Sequence, residues 1–189
     1  NMENVWKHWR ATITKVDADT GKAAPQGDAT LNGAEYTLYK SGKAVATYTV
    51  SNGGFATDLF PCTADDGVYT LKETKAPSGY NLDETAYKLK TSYDRYSDKE
   101  NSFSVTVSDA VMYGKIQLTK YALNTVSGDK QPEEGATFTV YLKSAGSYDK
   151  AKDSERDIIT IGKNGKGTSK SLPYGTYCVQ QSTGWAGYD

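Results

Sequence analysis

Glu73 stands in the segment Tyr69-Thr-Leu-Lys-Glu-Thr-Lys-Ala-Pro-Ser-Gly-Tyr80, where apolar and polar residues alternate up to a Pro/Gly turn. Successive side chains on a strand project to opposite faces, so Tyr69, Leu71 and Glu73 share one face, and two apolar neighbours predict that it is the core face. An unpaired carboxylate in an apolar interior either costs several kcal/mol or stays protonated, so an inward Glu73 requires a partner. The chemistry open to such a group is proton transfer between two neighbours.

Other reactive side chains offer less. The single histidine, His8, lies near the N-terminus and leaves no workable Ser-His-Asp triad. The acid pairs Asp65/Asp66 and Glu133/Glu134 could act as acid and base in a hydrolase, but adjacent acids on a turn are ordinarily solvated. Calcium at Asp17-Ala-Asp19 or at Asp65-Asp66 would lack the EF-hand spacing, so no metal site and no cofactor is expected. Cys62 and Cys178 have no C-x-x-C spacing, which argues against a zinc knuckle or redox motif. They read as two free, half-buried thiols; a disulfide between them is not expected, because they fall in different copies of a repeat.

Composition sets the frame that must position Glu73. The 189 residues include 15 tyrosines and 18 glycines with a hydrophobic fraction of 37%, as in a globular chain of one or two domains. No stretch approaches a membrane span and no signal-peptide pattern is read; Asn1-Met2 opens polar sequence and reads as a cloning remnant on an excised fragment. The net charge of -1 comes from scattered acids and bases without a basic stripe, which argues against nucleic acid and against an anionic membrane as partners.

The chain also repeats itself. Ala11-Thr-Ile-Thr-Lys15-Val-Asp recurs as Lys115-Ile-Gln-Leu-Thr-Lys120-Tyr, and Gly33-Ala-Glu-Tyr-Thr-Leu-Tyr39 as Gly135-Ala-Thr-Phe-Thr-Val-Tyr141. Asn52-Gly53 before Leu59-Phe60-Pro61 is echoed by Asn164-Gly165 before Leu172-Pro173, and Tyr69 to Tyr80 by Tyr177 to Tyr188. The offset is roughly a hundred residues throughout, the size of a domain rather than of a solenoid repeat. Copy one is predicted to hold strands near 10–17, 35–40, 44–50, 54–60, 67–74, 86–91 and 102–109, separated by Gly/Asn/Asp turns. Such short β-branched and aromatic strands read as two packed antiparallel sheets, an all-β, immunoglobulin-like sandwich. The division expected is a lead-in at 1–9, a complete sandwich at 10–112 and a second at 113–189. Copy two stops after the Gly187-Tyr188 turn, so it is expected to lack the last two strands and to leave an edge to be covered.

Tyr69-x-Leu71-x-Glu73-Thr74-x-Ala76-Pro77-x-Gly79-Tyr80 resembles the E-box of Gram-positive pilins and matrix-binding adhesins at every defined position. The module is similar to the CnaB, or SpaA-type, prealbumin-like domain. That resemblance implies an intramolecular isopeptide bond between a lysine of the first strand, here Lys15, and an Asn or Asp of the last, here Asp109, assisted by Glu73. It further implies an extracellular structural stalk module of a cell-wall-anchored surface protein, with neighbouring domains of the same protein as partners. No obligate oligomer is expected. Neither an LPxTG sorting signal nor a YPK pilin motif occurs in this sequence.

The physical chemistry is compatible with these roles. Lysine is a nucleophile only when neutral, and desolvation favours the neutral forms of lysine and glutamic acid alike. Amide formation from an amine and a carboxylate is slow in dilute solution, but fixing both at contact distance away from water supplies a large effective concentration. Turnover is single, so the chain is not expected to be an enzyme. In copy two Lys120 matches Lys15, but Gln181 stands at the Glu73 position and an amide cannot relay a proton, so no bond is expected there within this sequence. The alternative is a ligand-binding adhesin module for a glycan or host matrix protein, with Trp6, Trp9, Trp185 and the tyrosines stacking on the ligand.

Overall fold

The computed structural model describes residues 6–186; Asn1-Met2, the Gly187-Tyr188 turn and Asp189 lie outside the described residues. The chain divides into two compact units, Asn1–Val111 and Met112–Asp189. The described residues form strands and three single-turn 3-10 helices with no α-helix, so no helix is long and apolar enough to cross a membrane.

The first unit runs β1 (His8–Asp17), β2 (Glu35–Lys40), β3 (Lys43–Thr49), β4 (Gly54–Ala56), β5 (Phe60–Pro61), β6 (Tyr69–Lys75), β7 (Tyr87–Lys88) and β8 (Glu100–Asp109). One sheet has the order β4-β1-β5 with β8 along β1; the other has the order β3-β2-β6-β7. Most pairs are antiparallel. The first and last strands instead run parallel over ten residues, from His8 opposite Glu100 to Asp17 opposite Asp109. Alternation drives the packing: Trp9, Ala11 and Ile13 of β1 and Val107 of β8 turn inward against Tyr36, Leu38, Tyr69 and Leu71 of the other sheet. Trp9 is at the centre, with Phe60, Tyr69 and Phe103 around its ring at 5.0 to 5.6 Å between centroids.

Most strand limits shift by one or two residues from the sequence expectation, and three of the differences have a visible cause. β1 begins at His8 because His8 and Trp9 pair with both β5 and β8. The run 54–60 is two strands, since Thr57 leaves the ladder: its N–H donates to the Ala11 carbonyl and its hydroxyl accepts the Ala11 N–H, both at 2.9 Å. Of 86–91 only Tyr87–Lys88 pairs as a strand, opposite Leu71 and Thr70.

Glycine is required where β4 meets β1. A Cβ on Gly54 would sit 2.1 Å from the Ile13 carbonyl oxygen, a backbone atom that cannot move without breaking the pairing of the two strands. Gly54→Ala is therefore expected to lower stability by about 2 kcal/mol or more, read as a fall in the denaturation midpoint. An unchanged midpoint would mean that β4 relaxes away from β1 without penalty.

The second unit repeats the plan in shorter pieces: β9 (Tyr113–Gly114), β10 (Gln117–Thr119), β11 (Tyr121–Leu123), β12 (Lys130–Pro132), β13 (Thr137–Leu142), β14 (Arg156–Thr160), β15 (Lys166–Thr168), β16 (Leu172–Pro173) and β17 (Tyr177–Thr183). The Lys120 N–H donates to the Gly165 carbonyl at 2.8 Å, as the Lys15 N–H does to Gly53. β10 pairs with β15, and no described strand takes the place that β8 has beside β1. In consequence Ile116 and Leu118 are only half-buried, where Ala11 and Ile13 are fully buried. Cys62 and Cys178 are free thiols of intermediate burial.

Candidate functional site

The ladder of β1 and β8 sets the site. Lys15 faces inward two residues after Ile13, Val107 is its partner across the ladder, and Asp109 follows on the same face of β8. From the opposite sheet, β2 and β6 place Tyr36 directly across from Glu73. The four side chains meet inside the sandwich. Lys15 is fully buried, Asp109 is 1% exposed and Glu73 5%.

Lys15 Nζ donates to Glu73 Oε1 at 3.0 Å, to Asp109 Oδ1 and to the hydroxyl oxygen of Tyr36. An ammonium has three N–H bonds, so these three oxygens use all of them. Glu73 is oriented from behind: its Oε2 accepts the Asp83 backbone N–H at 2.8 Å, and Asp83 in turn accepts the Tyr87 hydroxyl at 2.6 Å. Asp109 Oδ2 is buried and accepts no hydrogen bond.

The electrostatics follow from this burial. Desolvation pushes Asp109 up to about 7, against the pull of the Lys15 ammonium, and the Glu73 charge adds to the rise. Burial, then the charges of Glu73 and Asp109, push the Tyr36 phenol well above its ordinary value, so it stays neutral. Asp83 behaves oppositely: burial would raise it, but hydrogen bonds from Thr85 and Tyr87 hold it below the usual carboxylate range. The cluster thus contains an amine, a carboxyl that is easily protonated and a second carboxyl bonded to the same amine. Chemically it can exchange protons and bring a nitrogen onto a carboxyl carbon away from water.

The E-box turn has its own support. The Tyr80 hydroxyl donates to Asp17 Oδ2 at 2.8 Å, and Asp17 also accepts the backbone N–H groups of Asp19 and Thr20. Asp17 is thereby a structural anchor at the end of β1. Among the described residues no three His, Cys, Asp or Glu side chains gather as a metal would need.

In the second unit the residues are distributed differently. Gln181 sits across from Phe138, as Glu73 sits across from Tyr36, but its side chain is exposed and donates to the Thr183 carbonyl at 3.3 Å. Lys120 is 3.5 Å from Glu133 Oε2, and Glu133 is 1% exposed with its Oε1 accepting the Trp185 backbone N–H at 2.7 Å. Glu133 is therefore a buried ion-pair partner rather than a solvated turn acid. Asp66 is a surface partner of Arg95. Of the tryptophans considered for ligand contact, Trp9 is wholly in the core, while Trp6 is 77% exposed.

Sequence reasoning had no role for Tyr36, and read Glu133 only as one of two adjacent acids on a turn. Tyr36 reads as one more inward aromatic of an alternating strand; the signal that could have distinguished it is its hydroxyl, replaced by Phe138 in the copy where Glu73 is replaced by Gln181. Glu133 follows Pro132 in an acidic turn, and only its distance from Lys120 in space marks it.

Residues 10–102 match the family described as SpaA, prealbumin-like fold domain. No curated protein matches the chain. Among solved structures, the chain resembles the Bacillus anthracis TIE protein at 24% identity and a TM-score of 0.66, over 94% of this chain and 29% of that one. It also resembles a C-terminal fragment of the pilus adhesin SpaC from Lactobacillus rhamnosus GG, at 16% identity and a TM-score of 0.50, over 97% of this chain and 78% of that fragment. These likenesses concern the fold, and the chain spans about three tenths of the Bacillus anthracis protein. The family match and the two-sheet architecture agree: residues 10–102 of the first unit are similar to the SpaA prealbumin-like fold domain.

Proposed function

We propose that the chain is a load-bearing segment of a Gram-positive cell-surface pilin or adhesin, and that its first unit locks itself with an isopeptide bond from Lys15 to Asp109. The observation that carries this reading is the fully buried Lys15 amine held against Asp109 while Asp109 Oδ2 has no partner. In the reaction Nζ bonds to the Asp109 carboxyl carbon and one carboxyl oxygen leaves. Two of the three ammonium protons depart with that oxygen as water, and the third stays on the amide nitrogen. Glu73 takes and returns protons and ends unchanged. Burial of Asp109 favours its protonated form, which is the better electrophile.

The mechanical purpose follows from the ladder. β1 and β8 run parallel side by side, and a bond at their ends joins the first strand to the last. Load entering one end then passes to the other through covalent bonds instead of shearing the sheets. The protein acts once on itself and turns over no substrate. Its partners are neighbouring domains of the same surface protein, and its place is outside the cell.

Intact-mass measurement of the folded chain tests this. It should be lighter than its sequence by one water, and a digest should yield a branched peptide joining Lys15 to Asp109; Asp109→Ala should restore the sequence mass. A parent chain at full sequence mass overturns the proposal.

A further inference from the structure

We infer that Tyr36 is a fourth member of the reaction centre, accepting the one N–H of Lys15 that survives into the amide. This rests on the cross-link reading. Of the three oxygens that receive Lys15 N–H bonds, two belong to carboxyls that change state during the reaction: Asp109 loses an oxygen and Glu73 carries protons. The third is the Tyr36 hydroxyl, which is buried and stays neutral throughout. Nζ can rotate about its bond to the side chain, and a nitrogen that has given up a proton must aim its lone pair at the Asp109 carbon. A fixed, neutral acceptor on one remaining N–H removes that freedom.

The second unit supplies an internal comparison. Phe138 and Gln181 are register partners there, as Tyr36 and Glu73 are in the first unit. The strand pair keeps its pairing and loses the hydroxyl and the carboxylate together, and Lys120 turns to a different acid, Glu133. A phenylalanine is therefore compatible with this place in the fold. The hydroxyl accompanies the reactive acid rather than the packing of the ring.

The test compares the parent with Tyr36→Phe and with 3-fluorotyrosine placed at position 36 alone. Each chain is quenched into denaturant during cell-free synthesis, refolded by dilution, and followed by mass against time. Tyr36→Phe should fold but lose water more slowly by a factor on the order of ten to a hundred. The fluorinated residue has the same shape and a weaker acceptor oxygen, so its rate should fall between the two. In a Lys15→Ala background, which cannot react, Tyr36→Phe should leave the denaturation midpoint unchanged. Equal rates for parent and Tyr36→Phe overturn the inference. So does a fluorinated chain as fast as the parent beside a slow Tyr36→Phe, because shape alone would then account for the effect. A lower denaturation midpoint for Tyr36→Phe in the Lys15→Ala background overturns it too, because the hydroxyl would then serve the fold. If the parent itself never loses water, it is the cross-link reading that fails.

Discussion

Replacing Glu73 with glutamine is expected to leave the folded chain at its full sequence mass and to remove roughly 4 to 5 kcal/mol of stability from the first unit. Glutamine keeps the shape of the side chain and can still accept a hydrogen bond, but it cannot take up and release a proton. The Lys15–Asp109 pair would then remain an ion pair. The magnitude comes from the loop that the bond closes: Lys15 and Asp109 are 94 residues apart, and a cross-link over that length removes much of the entropy of the unfolded chain. For a domain of this size each kcal/mol moves the melting temperature by about 4–8 °C, so the midpoint should fall by roughly 20 °C or more. Mass spectrometry and calorimetry on the same preparation check the two halves separately. A Glu73→Gln chain that still loses water removes Glu73 from the chemistry; one that stays unlinked yet melts with the parent removes loop closure from the stability.

The position of Glu73 was legible because alternation is a local property. Tyr69, Leu71 and Glu73 are all buried, as two inward apolar neighbours require. The same rule places Lys15 after Ala11 and Ile13, although only the resemblance of the E-box singled out that lysine from the others. Asp109 needed more, since its approach to Lys15 depends on β1 and β8 being parallel neighbours, a pairing between distant segments that no local pattern encodes. What was missed has the same cause. The exchange of hydrogen bonds between Thr57 and Ala11 that divides the predicted strand at 54–60 joins residues far apart in sequence, and the pairing of Lys120 with Glu133 depends on how the β11–β12 hairpin folds back. Tyr36 was hidden for a different reason: a ring that packs and a hydroxyl that reaches Lys15 are carried by one residue, and its pattern reports only the ring.

That pairing of distant groups also explains why removing Lys15 should be the most damaging change to the first unit. Lys15→Ala deletes the bond and leaves Glu73 and Asp109 facing each other in the core without a cation. Breaking a buried ion pair by removing one partner typically costs about 3 to 5 kcal/mol beyond the loss of loop closure. The damage should depend on pH in the direction opposite to ordinary acid denaturation. Burial holds Asp109 at about 7 even with the Lys15 ammonium pulling it down, against 3.8 as its ordinary value. Without Lys15 that downward pull is gone, while burial and the Glu73 charge remain. A carboxyl raised in the folded state binds its proton more tightly there than in the unfolded chain, so its stabilising effect is complete below the unfolded value and is lost as pH rises through the folded one. Lys15→Ala should accordingly be most stable near about pH 4 and lose on the order of 4 kcal/mol from Asp109 alone by about pH 8. With the proposed cross-link in place, Asp109 of the parent is an amide carbonyl and cannot titrate, so the same interval should show no such slope. Denaturant melts of both chains across this range check the sign directly. A variant whose stability is flat or rises with pH would mean that water reaches the two carboxyls, and that the centre is not the sealed site that the cross-link requires.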